Sequence, residues 1–383
     1  MEKCDVAIIG GGPAGATCAW QLRQQGLDVV IIDKSNFPRD KVCAGWVTPA
    51  VMASLNINLE DYAKGRTLQE IRAFRTSRIG DNDVHTQYND IVSYGIRRRE
   101  FDDYLIQRCD ARLRLNDPVK EVRKTSDGWV INDSLQAKLL IGAGGHFCPI
   151  ARRIGGKTET KELPVAAQEM EFELSDEQLA NCVVEADTPE LFFTPDLKGY
   201  GWIFRKGNFL NIGLGRQDKN KLSSHVNQFI DILKKAGRIP DDVPSKLHGH
   251  AYLLYNCAPR EMVSDHVLLI GDAVGLAYPQ SGEGIRPAIE SALLAAETVV
   301  KANGNYSSES LISYKNAMLK RFGPRQKSGI NLSWLIPNGI KRFIAGRMLS
   351  NKWCSRNIVI NRWFLHLQQA PLLGPFGSLV SKQ

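Results

Sequence analysis

No two of the eight cysteines stand in a CxxC pair, and none clusters with histidine at metal-site spacing. Scattered singly (4, 18, 43, 109, 148, 182, 257, 354), they read as reduced thiols of a cytoplasmic protein, with no metal site expected. No run of 18 apolar residues occurs, so no membrane span is expected. The first apolar run opens at residue 6, which leaves no room for a secretory signal. Residues 321–383 contain no acid at all, yet hold ten Lys/Arg. The remainder holds 39 basic against 41 acidic residues, so the whole +8 surplus belongs to that C-terminal stretch. A surplus placed this way speaks of partners rather than of fold.

What is present begins at Cys4 and runs to Asp33. An apolar run (Val6 to Ile9) leads into Gly10-Gly11-Gly12-Pro13-Ala14-Gly15. A helical stretch follows to about Gln25, Gly26 breaks it, and Val29 to Ile32 end at Asp33-Lys34. Strand, glycine turn, helix and strand make half of a dinucleotide-binding fold. Gly10 allows the turn, Gly12 the approach of a pyrophosphate, and Gly15 close packing of helix on sheet. The helix start offers unpaired N–H groups to phosphate. Asp33, about 20 residues after Gly10, can accept the ribose hydroxyls, which disfavours a 2′-phosphate. The ligand is therefore FAD or NAD rather than NADP.

Later segments choose between those two. Val267 to Ile270 read as a buried strand ending in Gly271-Asp272. Pro279, Gly282 and Gly284 form a turn before a helix from Ile285, whose apolar positions make a one-sided stripe. Asp272 can accept from a ribityl hydroxyl. The helix start can stabilise the negative charge that a reduced flavin ring carries, a need NAD does not have. The loop after Asp33 adds Arg39 and Lys41 for phosphate, with Cys43, Gly45 and Trp46 toward the ring. Arg98, at the mouth of another helix, is a phosphate or flavin clamp or else part of a solvated basic face. Gly142-Ala143-Gly144-Gly145 marks a second close approach of backbone to cofactor. His146 beside it reads as structural more readily than as an acid or base.

Residues 68–96 read as a strand pair outside the nucleotide fold, and 117–147 as a small meander. Residues 163–257 alternate like a sheet rich in aromatics, interrupted by a helix near 221–237. A sheet face of large rings makes a core or a pocket for an apolar substrate. The expected class is α/β: an FAD-binding Rossmann-like domain (1–67, 95–162, 258–320), an inserted antiparallel β-sheet substrate domain (68–94, 163–257), and a basic helical region (321–383).

The stretch GDAVGLAYPQSGEGIRPAIESALLAAE resembles the second FAD motif of geranylgeranyl reductases, within the flavoprotein group that includes p-hydroxybenzoate hydroxylase. Tyr200, Trp202, Phe204, Arg205 and Lys206, followed by Gly213 and Gly215, are similar to that family's Tyr-x-Trp-x-Phe-Pro-Lys…Gly-x-Gly block, with the proline replaced. Arg98 with Phe101-Asp102 is similar to its Arg-x-x-Phe-Asp. The resemblance covers about residues 4–300. It implies the glutathione reductase/p-hydroxybenzoate hydroxylase type of fold. FAD would lie at Gly10, Gly12, Pro13, Ala14, Gly15, Asp33, Lys34, Lys41, Arg98, Gly271 and Asp272, with the flavin near Gly282, Gly284 and Ile285. An apolar pocket would include Tyr200 and Trp202. Two positions depart from the family. Cys43-Ala44-Gly45-Trp46 replaces a Cys-Gly-Gly type loop, where Trp46 would narrow the space. Ala143-Gly144-Gly145 replaces Ala-Asp-Gly.

Two activities follow as expectations. One is reduction of carbon–carbon double bonds in a bulky apolar substrate by hydride from flavin N5. In it Cys43 is the nearest proton donor, and Trp46, Tyr200 and Trp202 surround the reacting carbons. The other is a monooxygenase that carries a C4a-hydroperoxide to an aromatic ring or a partner side chain. No Trp-x-Trp-x-Ile-Pro stretch points to a halogenase. With one dinucleotide fingerprint only, NAD(P)H or a reduced electron carrier must act as a transient donor.

In the tail, Ile340, Phe343, Ile344 and Met348 share a helical face, with Lys341 and Arg342 away from it. Trp334, Trp353 and Trp363 lie among the cations. Three readings stay open: a helix on an anionic membrane at the inner face, a helical cap on the protein's own core, or a basic interface for an acidic protein. No nucleic-acid motif accompanies the charge.

Overall fold

The computed structural model describes residues 1–154, 162–218, 221–325, 346–372 and 374. Its centre is a parallel sheet in the order Val267–Leu269, Leu135–Gly142, Glu2–Ile9, Val29–Ile32, Arg112–Arg114. Val6–Ile9 pair with Val29–Ile32 on one side and with Leu139–Gly142 on the other. These strands are unbroken apolar runs because both their faces are covered. The antiparallel strands Val122–Thr125 and Gly128–Ile131 extend from Leu135–Gly142 as the expected meander.

Helix Pro13–Gln24 starts at Gly12, with proline at its first position, and packs on helix Ile285–Ala302. The one-sided stripe expected for the second helix is not what the structure shows. Its polar residues Arg286, Glu290, Ser291 and Thr298 are buried as well. Glu290, Ser291 and Thr298 find hydrogen-bond partners inside the protein, and Arg286 lies 3.8 Å from Glu290. Ser291 Oγ accepts the Gly271 N–H at 3.0 Å, and Glu290 pairs with Arg321 and lies 3.3 Å from the Tyr278 hydroxyl.

A seven-stranded sheet forms the second layer. Val165–Glu173, Phe209–Arg216 and Gly199–Lys206 make an antiparallel ladder at its centre. His248–Tyr252 lies on one edge, and Glu190–Phe193, Ala73–Arg78 and Val84–Gln87 complete the other. Period-2 alternation divides the faces. Met170, Ile203, Leu210, Ile212 and Leu214 pack under helix Leu222–Lys235. Ala167, Trp202 and Phe204 take the other face.

The strand pair expected over 68–96 is four strands. Only Ala73–Arg78 and Val84–Gln87 join the large sheet; in a small third sheet Ser93–Ile96 is the central strand, paired with Leu68–Ile71 on one side and Trp46–Val47 on the other. Arg72 turns the chain between the two, its N–H held by the Asp187 carbonyl at 3.0 Å.

Residues 346–372 lie on the aromatic face of the large sheet. Leu349, Val359, Ile360 and Phe364 are buried against Trp46, Phe74 and Trp202. That part of the tail is a cap on the protein's own core. Trp334, Ile340, Lys341, Arg342, Phe343 and Ile344 fall outside the described residues. Among the described residues no helix is long and apolar enough to cross a membrane.

Candidate FAD and substrate site

The opening turn is shaped by contacts that leave no room for a side chain. Gly10 has φ +114°, and a Cβ there would lie 2.8 Å from Gly144 Cα and 2.6 Å from the Ala143 carbonyl carbon. The two glycine turns of the sequence therefore touch each other. A Cβ on Gly15 would strike the Gly10 carbonyl, so the helix can sit this close only with glycine. Gly12 faces outward toward the Arg39 guanidinium, 3.4 Å from a Cβ built on it. Pro13 and Ala14 are buried in the first helical turn, and Gly271 packs on Ala14. Asp33 accepts the N–H groups of Gly11 (2.8 Å) and Ser35 (2.9 Å), which ties the turn to the second strand. Its oxygens keep lone pairs for a ribose. Lys34 is exposed.

Below this turn lies a cluster of buried charge. Arg98 makes a two-point contact with Asp102, both bonds at 2.7 Å, and Arg39 reaches the same carboxylate at 3.3 Å. Lys41 Nζ lies 2.9 Å from the ring nitrogens of His250, and His250 lies 3.7 Å from Asp272. Burial, together with the positive charge of Arg98, pushes Lys41 down to about 8. Burial also lowers His250, with Lys41 adding to it. A neutral imidazole that accepts from Lys41 follows. For Asp272 burial acts upward, but His250, Lys41 and Arg98 outweigh it and hold the carboxyl below its usual value.

Asp272 Oδ1 is buried and without a hydrogen-bond partner among the described residues. A Cβ on Gly284 would lie 3.2 Å from that oxygen. The first bond of helix Ile285–Ala302 runs from Ala288 N–H to the Gly284 carbonyl. The N–H groups of Ile285 and Arg286 ahead of it therefore have no intrahelical acceptor. Gly282 has φ +69°, and a Cβ there would press on the Tyr252 ring, 3.0 Å from Cζ. These features suit an extended dinucleotide. In such a ligand the phosphates would meet the side-chain-free turn and the arginines, a ribose would meet Asp33, a hydroxyl would meet the lone buried carboxylate oxygen, and a polar ring would meet the helix start at the far end.

The loop Cys43–Trp46 is pinned from beneath by the large sheet. Glu169 Oε1 accepts the Cys43 N–H at 2.7 Å, and Lys206 Nζ donates to the carbonyls of Ala44 and Ile96, both at 3.1 Å. Lys206 is fully buried, and its charge is met by Glu171 at 2.5 Å. Asn211 accepts from the Trp202 indole at 2.6 Å and donates to the Cys43 carbonyl at 3.4 Å. Cys43 Sγ accepts the Gly45 N–H at 3.4 Å, and burial pushes its thiol pKa up. Trp46 points away from this region into a cluster with Phe364 (5.5 Å between centroids), Phe74 (5.9 Å) and Phe204 (6.2 Å). It is not among the residues lining the apolar cavity beside the Gly282 loop. Its strand pairs with Tyr94 and Gly95, which turns the indole into the core.

An apolar cavity of about 280 Å³ opens beside the Gly282 loop. Phe193, Tyr200, Tyr252 and Gly215 of the large sheet line it, with Pro279, Gln280 and Gly282 of the loop and Trp363 and Met348 of the C-terminal segment. The Tyr200 hydroxyl donates to the Ser281 carbonyl, fixing sheet to loop. Trp202 lies behind Tyr200 at 6.0 Å, its ring over the Gly213 backbone. Thus Tyr200 is brought to the cavity, Cys43 stands on the loop beside the sheet, and Trp202 supports both. His146 is buried, 3.4 Å from Arg260. Burial and that charge push it down to about 4, which leaves it neutral.

Residues 3–321 match the model of the FAD binding domain. The chain belongs to the FAD-binding domain family. It is an FAD-dependent oxidoreductase, and FAD is its cofactor. Among curated relatives, a digeranylgeranylglycerophospholipid reductase of Methanothrix thermoacetophila is 28% identical, over 84% of this chain and 84% of its own length. A menaquinone reductase of Mycobacterium tuberculosis is 28% identical over 77% of this chain and 76% of its own. Among solved structures, a geranylgeranyl bacteriochlorophyll reductase-like protein of Thermoplasma acidophilum has TM-score 0.72 at 20% identity, covering 91% of this chain and 88% of its own. The flavin-dependent halogenase CmlS has TM-score 0.67 at 19% identity, covering 91% and 72%. Both structures share the fold.

Several residues of the site carry no local signal. His250, Tyr252, Glu169 and Asn211 reach it from strands far along the chain. Only their places on the alternating face of the sheet mark them.

Proposed function

We propose that this flavoprotein reduces carbon–carbon double bonds of an apolar, isoprenoid-type substrate. The observation that carries the reading is the apolar cavity walled by Tyr200, Phe193 and Tyr252 and bounded at one side by Gly282, beside which this reading puts the flavin ring. The activities for which two relatives are named, on a digeranylgeranyl lipid and on menaquinone, support the same substrate class. Bound FAD, once reduced by NAD(P)H or a reduced carrier, supplies the hydride. The chain supplies the rest. Rings exclude water around the double bond. Tyr200, whose phenol is held protonated by burial, spends its proton on Ser281 and serves as wall. Cys43, its thiol kept protonated by burial, holds a proton at Sγ on the loop beside the ring. The ten Lys/Arg of residues 321–383, with no acid among them, support delivery of a lipid substrate from an anionic membrane on the cytoplasmic side.

Reduced, FAD-loaded protein mixed anaerobically with a polyprenyl lipid tests the reaction. Flavin reoxidation with a product heavier by two hydrogens is expected. Absence of anaerobic reoxidation, with oxygen uptake matching NAD(P)H oxidation only when substrate is present, would assign the monooxygenase instead. Pelleting with anionic vesicles tests delivery: binding at low salt that fades at high salt is expected, and no binding at low salt rejects it.

A further inference from the structure

The family domain ends at residue 321, yet one wall of the cavity comes from beyond it. Met348, Leu349, Val359 and Trp363 face Phe193, Tyr200 and Tyr252 across the cavity. The segment carrying them is held at both ends. On the sheet side, Tyr88 donates to Asn361 Oδ1 at 2.6 Å and Arg356 to the Gln87 carbonyl at 3.2 Å. On the cofactor side, His366 Nε2 lies 2.9 Å from Glu283, the residue between Gly282 and Gly284. Tyr278 donates to Gln369 Oε1 at 3.0 Å, and Arg321 to the Ala370 carbonyl at 3.0 Å. Between these anchors Ser355–Phe364 is a π-helix, with Leu365 N–H on the Ile360 carbonyl at 2.8 Å. Such helices are rare and gather at functional sites. Here the wide turn sends Val359 and Trp363 to the cavity and Ile360 and Phe364 to the aromatic core.

Leu349 and Val359 are buried, whereas Met348 and Trp363 are only half-buried. The latter two are the part of the roof that meets solvent. We propose that the C-terminal segment is the specificity-determining roof of the cavity, and that Trp363, with Met348, sets how long an apolar chain it admits. The inference rests on the proposed reading only in taking the occupant to be an apolar chain; the reaction does not enter it. At 280 Å³ the cavity lies near the lower end of the ~300–1,000 Å³ usual for ligand pockets. Removing the indole is therefore expected to extend it.

The test uses the full FAD-loaded chain and a ladder of saturated n-alkanols, which cannot be reduced. Binding is read from the perturbation of the flavin absorption spectrum. For the wild type, affinity is expected to rise with chain length and then stop rising. In Trp363→Ala that limit should move to longer alkanols, and the longest should bind about 10-fold tighter, as for one or two more buried methylenes. Val359→Phe, which fills the cavity instead, should move the limit to shorter chains. An unchanged limit in both variants would overturn the proposal. If Trp363→Ala fails to fold, Met348→Ala takes its place beside Val359→Phe. Alkanols that bind with these shifts while no polyprenyl lipid is reduced would leave the roof standing and reject the reductase reading.

Discussion

His366 reaches back across the molecule to stand 2.9 Å from the carboxylate of Glu283, and both side chains are buried. The contact has ion-pair distance without hydrogen-bond alignment, and the Glu283 carboxylate has no hydrogen-bond partner among the described residues. The His366 ring stacks on Tyr278, 4.0 Å between centroids, and its Nδ1 meets Gln369 at 3.2 Å. A buried carboxylate stripped of its partner is costly. His366→Ala is expected to lower stability by about 3 kcal/mol and to weaken FAD retention, since Glu283 belongs to the Gly282–Gly284 loop. Adding Glu283→Gln should restore part of both. Chemical denaturation and flavin release on dilution are the measurements, and equal losses in the single and double variants would reject the coupling.

Gly213 and Gly215 are two residues apart on one strand face and do different work. A Cβ on Gly213 would overlap the Trp202 indole. On Gly215 the nearest atom would be 3.6 Å away, in ordinary contact. Gly213→Ala is expected to destabilise by about 2 kcal/mol, the usual scale of overpacking. Gly215→Ala should leave the melting temperature nearly unchanged and raise the KM of a long substrate, because its methyl enters the cavity. Thermal melts and steady-state kinetics separate the two.

The parts of this site that lie within one stretch of chain were readable before the fold was known. Gly10 to Asp33 and Gly271 to Ile285 carry their turn, helix start and acid in sequence order, so local rules suffice. Trp46 was misplaced because closeness in sequence to Cys43 does not give direction. Two-residue pairing with Tyr94 and Gly95, and burial against Phe74, Phe204 and Phe364, decide that the indole faces inward. His366, Glu283 and Trp363 were unreadable for another reason. An apolar helical face cannot tell a membrane from the protein's own aromatic sheet, since both offer the same burial.

Asp272 Oδ1 is a buried carboxylate oxygen with no hydrogen-bond partner among the described residues, placed beside Gly284. Asp272→Ala should weaken FAD binding by roughly 10- to 100-fold, the range of a hydrogen bond to a charged group. Asp272→Asn should weaken it less, because the amide oxygen still accepts. Titration of the apoprotein with FAD measures both. Wild-type affinity in the alanine variant would remove Asp272 from the cofactor site.

Glu169 gives a pH dependence whose sign can be worked out. It is 5% exposed, and burial raises its carboxyl to about 7, although the Cys43 N–H and the Lys206 charge act downward. A carboxyl raised in the folded state binds a proton there that the unfolded chain has already lost. Stability from this group is therefore full below about pH 4.5 and is lost as the pH rises through about 7. The whole swing is on the order of 3 kcal/mol. Glu169→Gln should remove that slope, so the variant loses less stability than the wild type between pH 5 and 8. Denaturation midpoints across this range, read with FAD bound, provide the check. Parallel curves for the two proteins would show that Glu169 stays ionised beneath the Cys43 loop.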